Sequence, residues 1–94
     1  MTDPTQKMAD DLEALGLYAT GKDVRAGRAD VEKALSHVRD YCLARTLKAI
    51  KKREGLNRES PPIPGTWGAR ALPQLIERRD QLQAFLDRWE ASHA

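Results

Sequence analysis

Basic side chains are concentrated near the middle of the chain. Residues 41–53 contain five bases and no acid, which gives this segment a charge of +5. Four residues, which we call the basic ridge, share one helical face by their spacing: Tyr41, Arg45, Lys48 and Lys52. Three more bases extend the positive charge: Lys51, Arg53 and Arg58. Cations at this spacing can neutralise successive phosphates or face an acidic protein, and an aromatic ring beside them can stack on a base or fill a groove.

The basic ridge has two interpretations. It is a surface that binds nucleic acid or an acidic partner, or it is a solvated helix face whose bases offset the negative end of the helix dipole. The short turn of a helix-turn-helix is not evident, since the fourteen residues 55–68 separate the last two predicted helices. We therefore expect any nucleic-acid binding to be directed at the backbone, without sequence readout.

Residues suited to catalysis are few. The chain contains one cysteine, Cys42, and two histidines, His37 and His93. The helical pattern places both histidines on the surface and makes Cys42 a buried thiol on an apolar face. A disulfide needs a second cysteine, and these residues cannot supply the four ligands of a zinc site. We therefore predict no catalytic residue, no metal and no cofactor.

Length and composition define the broad class of protein. A chain of 94 residues has room for one domain, and its 40% hydrophobic residues recur at regular spacing, unlike those of a disordered tail. No apolar run reaches the roughly 20 residues needed to cross a bilayer. Residues 1–7 lack the apolar core of a signal peptide. The expected location is the cytoplasm, without membrane contact.

The predicted fold is all-α, a single domain over residues 1–94. It consists of a short N-terminal helix and a long helical hairpin, that is, a three-helix bundle. The expected elements are helices at about 4–16, 29–54 and 71–92, with a Pro/Gly-rich loop at 55–68. Asp3 is the expected N-cap of the first helix, and Gly16 its stop. Residues 19–28 contain two glycines, which predicts a connection rather than a helix.

The long predicted helix carries apolar residues on two faces. Asp30 is its expected N-cap and Gly55 its expected stop. One apolar set comprises Val31, Leu35, Val38 and Cys42, and the other comprises Leu43, Leu47 and Ile50. The second set lies about 100° further round the helix. So wide an apolar face predicts two neighbouring helices, one of which can come from a second protomer. Two such hairpins in a homodimer would form a four-helix core.

The last predicted helix begins late because of a proline. Pro73 is tolerated only in the first turn, so the expected start is Ala71 or Leu72. Arg79 falls in the middle of the apolar stripe of this helix, Trp89 lies near its open end, and Trp67 lies in the preceding loop. We predict these three residues, Arg79, Trp89 and Trp67, at a partner interface.

Together these features favour a non-catalytic function. We expect a small helical binding or adaptor protein that contacts a protein partner within a larger assembly, such as a nucleoprotein, phage or mobile-element complex. The first alternative is a nucleic-acid-binding protein that uses the basic ridge on the phosphate backbone. The second alternative is a small helical enzyme with an Arg/Lys anion pocket around Arg79.

Overall fold

The structure is a computed structural model that describes residues 3–93, and the side chains of residues 3–91. Within residues 3–93 every regular element is a helix, so the predicted all-α class is confirmed. The elements are α1 (Pro4–Ala14), α2 (Tyr18–Arg25), α3 (Val31–His37), a π-helical segment (Val38–Leu43), α4 (Ala44–Glu59) and α5 (Trp67–His93). The order is thus a helical pair, α1 and α2, followed by a long hairpin.

The ends of α1 follow the local sequence signals. The carboxylate of Asp3 accepts a hydrogen bond from the backbone N–H of Thr5 at 3.0 Å, and Pro4 occupies the first helical position. At the other end Gly16 adopts φ of 80°, and the N–H of Leu17 donates to the carbonyl of Leu12 at 2.9 Å. This is the glycine-terminated cap of the Schellman type. Both predictions for this helix, its N-cap and its stop, are confirmed.

The predicted connection at 19–28 is wrong, because most of it forms α2. Packing of α2 against α1 offsets the low helix propensity of Gly21. A Cβ atom on Gly21 would lie 3.1 Å from Cγ of Glu13 and 3.3 Å from the carbonyl oxygen of Ala9. The absence of a side chain there allows α2 to approach α1 closely, and Val24 is fully buried beside it.

The long helix begins as predicted and ends later. The Asp30 carboxylate accepts from the N–H of Lys33 at 2.8 Å, which confirms this N-cap. The predicted stop at Gly55 is wrong, since α4 continues through it to Glu59. The helix ends where Ser60 precedes Pro61, because a residue before proline is disfavoured in the helical conformation.

A π-helical segment joins α3 to α4 and explains the two apolar faces. A π turn carries about one extra residue, which turns the following helix back by about 100° relative to an uninterrupted α-helix. The second apolar set is thereby rotated toward the side of the first. Leu43 accordingly lies in the same buried cluster as Leu35 and Val38. Ile50 of the second set is also buried, whereas Leu47 remains 47% exposed. Most of the second face is therefore covered within the chain.

The hairpin loop is shorter than predicted. Residues 60–66 connect the helices, and α5 begins at Trp67 rather than at 71 or 72. Pro73 lies inside α5, beyond its first turn, so the predicted late start is wrong. The loop closes locally, with the hydroxyl of Thr66 donating to the carbonyl of Ile63 at 2.6 Å. Pro73 is exposed, and it lacks the N–H that would donate to the carbonyl of Ala69.

The core lies at one end of an elongated molecule. Its dimensions are 51 × 23 × 21 Å. The core cluster is drawn from α1, α2, α3, the π segment and the last part of α5: Met8, Ala9, Leu12, Val24, Ala34, Leu35, Val38, Leu43, Leu82, Phe85, Leu86 and Trp89. The other end, residues 44–75, we call the arm. Among its described residues only Ile50 and Ala71 are buried hydrophobics. The arm is therefore a two-helix extension with little core of its own.

Candidate functional site

The basic ridge is brought together on the exposed side of the long helix. Tyr41 lies in the π segment, and the other three ridge residues lie on α4; all four are exposed. Arg45 donates from Nη1 to the Tyr41 hydroxyl at 2.8 Å, and its guanidinium lies 5.3 Å from the Tyr41 ring centroid. The ring of His37 stacks on the ring of Tyr41, with centroids 5.1 Å apart. The first two residues of the basic ridge, Tyr41 and Arg45, therefore lie on one face and are in contact.

The cations of the arm lack acidic partners in the described part of the chain. The ion pairs formed there all lie elsewhere: Arg25 with Asp10 and Glu13, Arg28 with Asp23, Arg39 with Glu90, and Arg79 with Asp80. The arm holds seven bases and two acids, a net charge of +5 in a chain whose total is +2. The arm is therefore a positively charged extension, available to an acidic ligand.

A groove runs between α4 and α5 at the arm. Its volume is about 430 Å³. Eight residues line it: Ala49, Lys52, Arg53, Leu56, Trp67, Ala71, Gln74 and Leu75. Trp67 is 72% exposed, and the guanidinium of Arg53 lies 5.6 Å from its ring centroid. The α4–α5 groove thus combines an apolar floor with cations at its edge, and it contains one of the predicted interface residues, Trp67.

The predicted basic residues divide between the two sides of α4. Lys52 and Arg53 line the groove. At 100° per residue, Lys51 and Arg58 lie on the side of α4 opposite the groove, and both are exposed. These two bases add to the field of the arm without contacting a ligand in the groove.

Trp89 lies in the core, so the prediction that it belongs to a partner interface is wrong. It is 7% exposed and belongs to the core cluster. Its indole N–H donates to Oδ2 of Asp11 at 2.9 Å, and its ring lies 6.4 Å from that of Phe85. A residue held in this way inside the chain leaves no surface for a partner. The sequence signal that indicates this core position is the i+4 spacing of Trp89 from Phe85 on one helix face.

Arg79 lies outside the groove. It pairs with its sequence neighbour Asp80 at 3.0 Å, and the two side chains are 40% and 65% exposed. The adjacent Arg78 instead turns inward and donates to the backbone carbonyl of Leu15. Arg78 thereby satisfies a carbonyl at the end of α1, a role that its position beside an apolar stripe did not reveal.

Sequence reasoning missed the floor of the groove. Leu56 and Leu75 are its large aliphatic residues besides the indole of Trp67. Leu56 was assigned to a loop because Gly55 was taken as a helix stop. Had the helical pattern been continued to the residue before Pro61, Leu56 would have followed Lys52 by one turn on the same face.

The titratable groups of the described residues offer little for catalysis. Cys42 is half-buried rather than fully buried, and burial raises the pKa of its thiol above the ordinary value, opposed by the nearby charges of Arg78 and Arg45. His37 is exposed, whereas the side chain of His93 lies outside the described residues. No group of three or more metal-ligating side chains occurs in the described part of the chain.

Across the described residues, none of the helices has the length and apolar character to cross a bilayer, and the cytoplasmic location stays a prediction. No protein-family model, curated protein or solved structure matches the chain.

Proposed function

We propose that the chain is a small non-catalytic adaptor and that its arm binds a protein partner within a larger assembly. The observation that carries this proposal is the α4–α5 groove, in which Trp67 is 72% exposed beside an aliphatic floor. Tryptophan, tyrosine and arginine dominate the binding energy of protein interfaces when they fill pockets at their centre. In the groove the exposed Trp67 lies next to Arg53 of α4. Arg45 lies nearer the start of α4, and Tyr41 lies in the π segment that precedes it.

The test is affinity purification of the tagged chain from its host in the presence of nuclease. Trp67→Ala removes the exposed indole, and Tyr18→Ala is the matched control because Tyr18 is 67% exposed on α2, away from the arm. We expect the wild type and Tyr18→Ala to retain the same protein and Trp67→Ala to lose it. Retention of that protein by Trp67→Ala would contradict the proposal.

A second candidate function is binding to the phosphate backbone of nucleic acid. It is favoured by the unpaired cations of the arm and by the Arg45–Tyr41 contact, which holds an aromatic ring beside a cation. The expected mode is independent of sequence, and the logarithm of affinity should fall linearly with the logarithm of salt concentration.

This candidate is tested by a pair of charge reversals. Arg45→Glu with Lys48→Glu should abolish binding to mixed duplex and single-stranded oligonucleotides. Lys22→Glu with Lys33→Glu changes the net charge equally at exposed positions outside the arm and should change binding much less. Absence of binding by the wild type at about 50 mM salt, where phosphate contacts are strongest, would reject nucleic-acid binding.

A homodimer that pairs two arms is less favoured than a foreign partner. Each arm carries a net charge of +5, so two arms in contact repel one another. The π segment also places Leu43 in the core, which leaves Leu47, 47% exposed, as the exposed residue of the second apolar set on which the expected dimer depended. Size-exclusion chromatography with light scattering distinguishes a monomer from a dimer directly.

A further inference from the structure

The chemistry of the α4–α5 groove narrows the class of partner. Five of its eight lining residues are Ala, Leu or Trp, so its floor is suited to aliphatic side chains. Its volume of about 430 Å³ lies within the usual range of ligand pockets. On α4 the lining runs from Ala49 to Leu56, about 10 Å along the axis, which matches two turns of a docked helix.

The charged side of the groove is formed by the basic ridge. Lys52 lines the groove, and Lys48 and Arg45 lie one and two turns earlier on the same face of α4. None of the three has an acidic partner among the described residues. A ligand that lies along the groove therefore meets apolar side chains on its floor and a row of cations on one side.

The same features disfavour two other occupants. A second arm of this chain would bring a like charge of +5 to the surface. A single strand held through its bases needs aromatic faces on which to stack, but Trp67 is the one aromatic among the described residues that line the groove, and Arg53 lies over its ring. Leucine and alanine side chains provide no stacking surface for bases.

Building on the proposed adaptor function, we propose that the α4–α5 groove binds an acidic amphipathic helix of the partner protein. The apolar face of that helix packs on Leu56, Trp67 and Leu75, and its carboxylates face Lys52, Lys48 and Arg45. This is the helix-in-groove mode of recognition, with apolar anchors at i, i+3, i+4 and i+7. The cations select the charge of the helix, and the groove selects its apolar spacing.

The experiment uses a labelled synthetic helix of about 18 residues with leucine at those anchor positions and glutamate on the remaining face. Two matched peptides serve as controls: one replaces every glutamate with lysine, and one keeps the composition but scrambles the order. Fluorescence anisotropy with the full chain should give binding to the acidic amphipathic peptide, at least about tenfold tighter than to either control.

Variants of the chain locate the binding. Trp67→Ala and Leu56→Glu should each weaken binding by about tenfold or more, and both residues are exposed enough for the fold to tolerate the change. Lys48→Glu with Lys52→Glu should weaken binding and flatten its dependence on salt. Tyr18→Ala, and Lys22→Glu with Lys33→Glu, should leave binding within about twofold, since these residues lie outside the arm.

The outcomes separate this inference from the function on which it rests. Equal binding of the acidic and lysine peptides, or no binding of either, would overturn the proposal that the groove binds an acidic helix. If purification from the host still yields a protein that depends on Trp67, the adaptor function stands and only the chemistry of the partner is wrong. Displacement of the acidic peptide by an oligonucleotide, together with loss of the protein partner, would assign the groove to nucleic acid instead.

Discussion

The indole N–H of Trp89 donates a hydrogen bond to the carboxylate of Asp11 at 2.9 Å, which joins α5 to α1 across 78 positions of the chain. Trp89 is nearly buried, while Asp11 is half-buried at the edge of the core. A buried indole needs a partner for its N–H, and the nearby carboxylate supplies it. This contact holds the far end of α5 against α1, so the long hairpin closes on the N-terminal helix.

The Trp89–Asp11 contact predicts a coupling free energy. Asp11→Ala removes the acceptor, and Trp89→Phe removes the donor while retaining an aromatic ring. In a double-mutant cycle the two changes should show a coupling of about 1.5–3 kcal/mol in the free energy of unfolding, the range of a hydrogen bond to a charged group. Urea denaturation followed by far-ultraviolet circular dichroism measures it. A coupling near zero would show that the bond does not stabilise the fold.

The ion pairs of Arg25 predict a pH dependence of stability. Hydrogen bonding to Arg25 lowers the pKa of Glu13 below its ordinary value of 4.5. As the pH falls below 4.5, the unfolded chain takes up a proton at this carboxylate before the folded chain does. Arg25→Gln should therefore be less stable than the wild type at neutral pH, and the difference should shrink in acid.

Denaturant midpoints measured from neutral to acidic pH test this prediction. Arg70→Gln is the matched control, because Arg70 is exposed on the arm and forms none of the ion pairs of the described residues. Its difference from the wild type should remain small and nearly constant with pH. A gap for Arg25→Gln that widens in acid would contradict the lowered pKa of Glu13.

Substitution by alanine should have different effects on stability at two helical glycines, Gly55 and Gly21. A Cβ on Gly55 meets open space, so Gly55→Ala should raise the free energy of unfolding by about 0.5–1 kcal/mol through helix propensity. At Gly21 the same Cβ lies 3.3 Å from the carbonyl oxygen of Ala9, so α2 has to move away from α1. Gly21→Ala should therefore gain nothing or lose stability. Equal stabilisation by both substitutions, measured by thermal unfolding, would exclude the close approach of the helices.

The features predicted correctly from sequence are those determined by neighbouring residues. The caps at Asp3 and Asp30 each depend on one hydrogen bond to a residue two or three positions away. The Gly16 stop depends on a local conformation. The basic ridge belongs to the same group, since spacing along one helix brings Arg45 to Tyr41.

The features that sequence reasoning missed depend on contacts between distant segments. Helix α2 forms because Gly21 packs on α1, although glycine spacing predicted a connection. The groove needs Leu56 of α4 and Leu75 of α5 to face one another, which no single helix pattern specifies. Trp89 was assigned to a partner because it lies near the open end of the last helix, and its contact with Asp11, 78 positions away, is not visible in the helix pattern.

The π segment gives the most demanding test of the fold. Asp40 is exposed within it, so deleting Asp40 removes a residue from the helix without removing a buried side chain. If the segment then becomes α-helical, the lost residue and the lost π turn offset one another, so α4 keeps its rotation relative to α3. Leu43 can therefore still join the core together with Leu35 and Val38.

We expect the chain without Asp40 to unfold cooperatively and to lose less than about 1 kcal/mol. Inserting one alanine after Asp40 should instead rotate α4 by about 100° and cost more than about 3 kcal/mol, the scale of losing a large core side chain, or abolish cooperative unfolding. Asp40→Ala keeps the length of the segment and should change stability by less than about 1 kcal/mol, as expected of an exposed position. Urea denaturation compares the three variants directly. A deletion that costs as much as the insertion would show that the extra residue does not align the two apolar faces, and the wide face would again require a second neighbour.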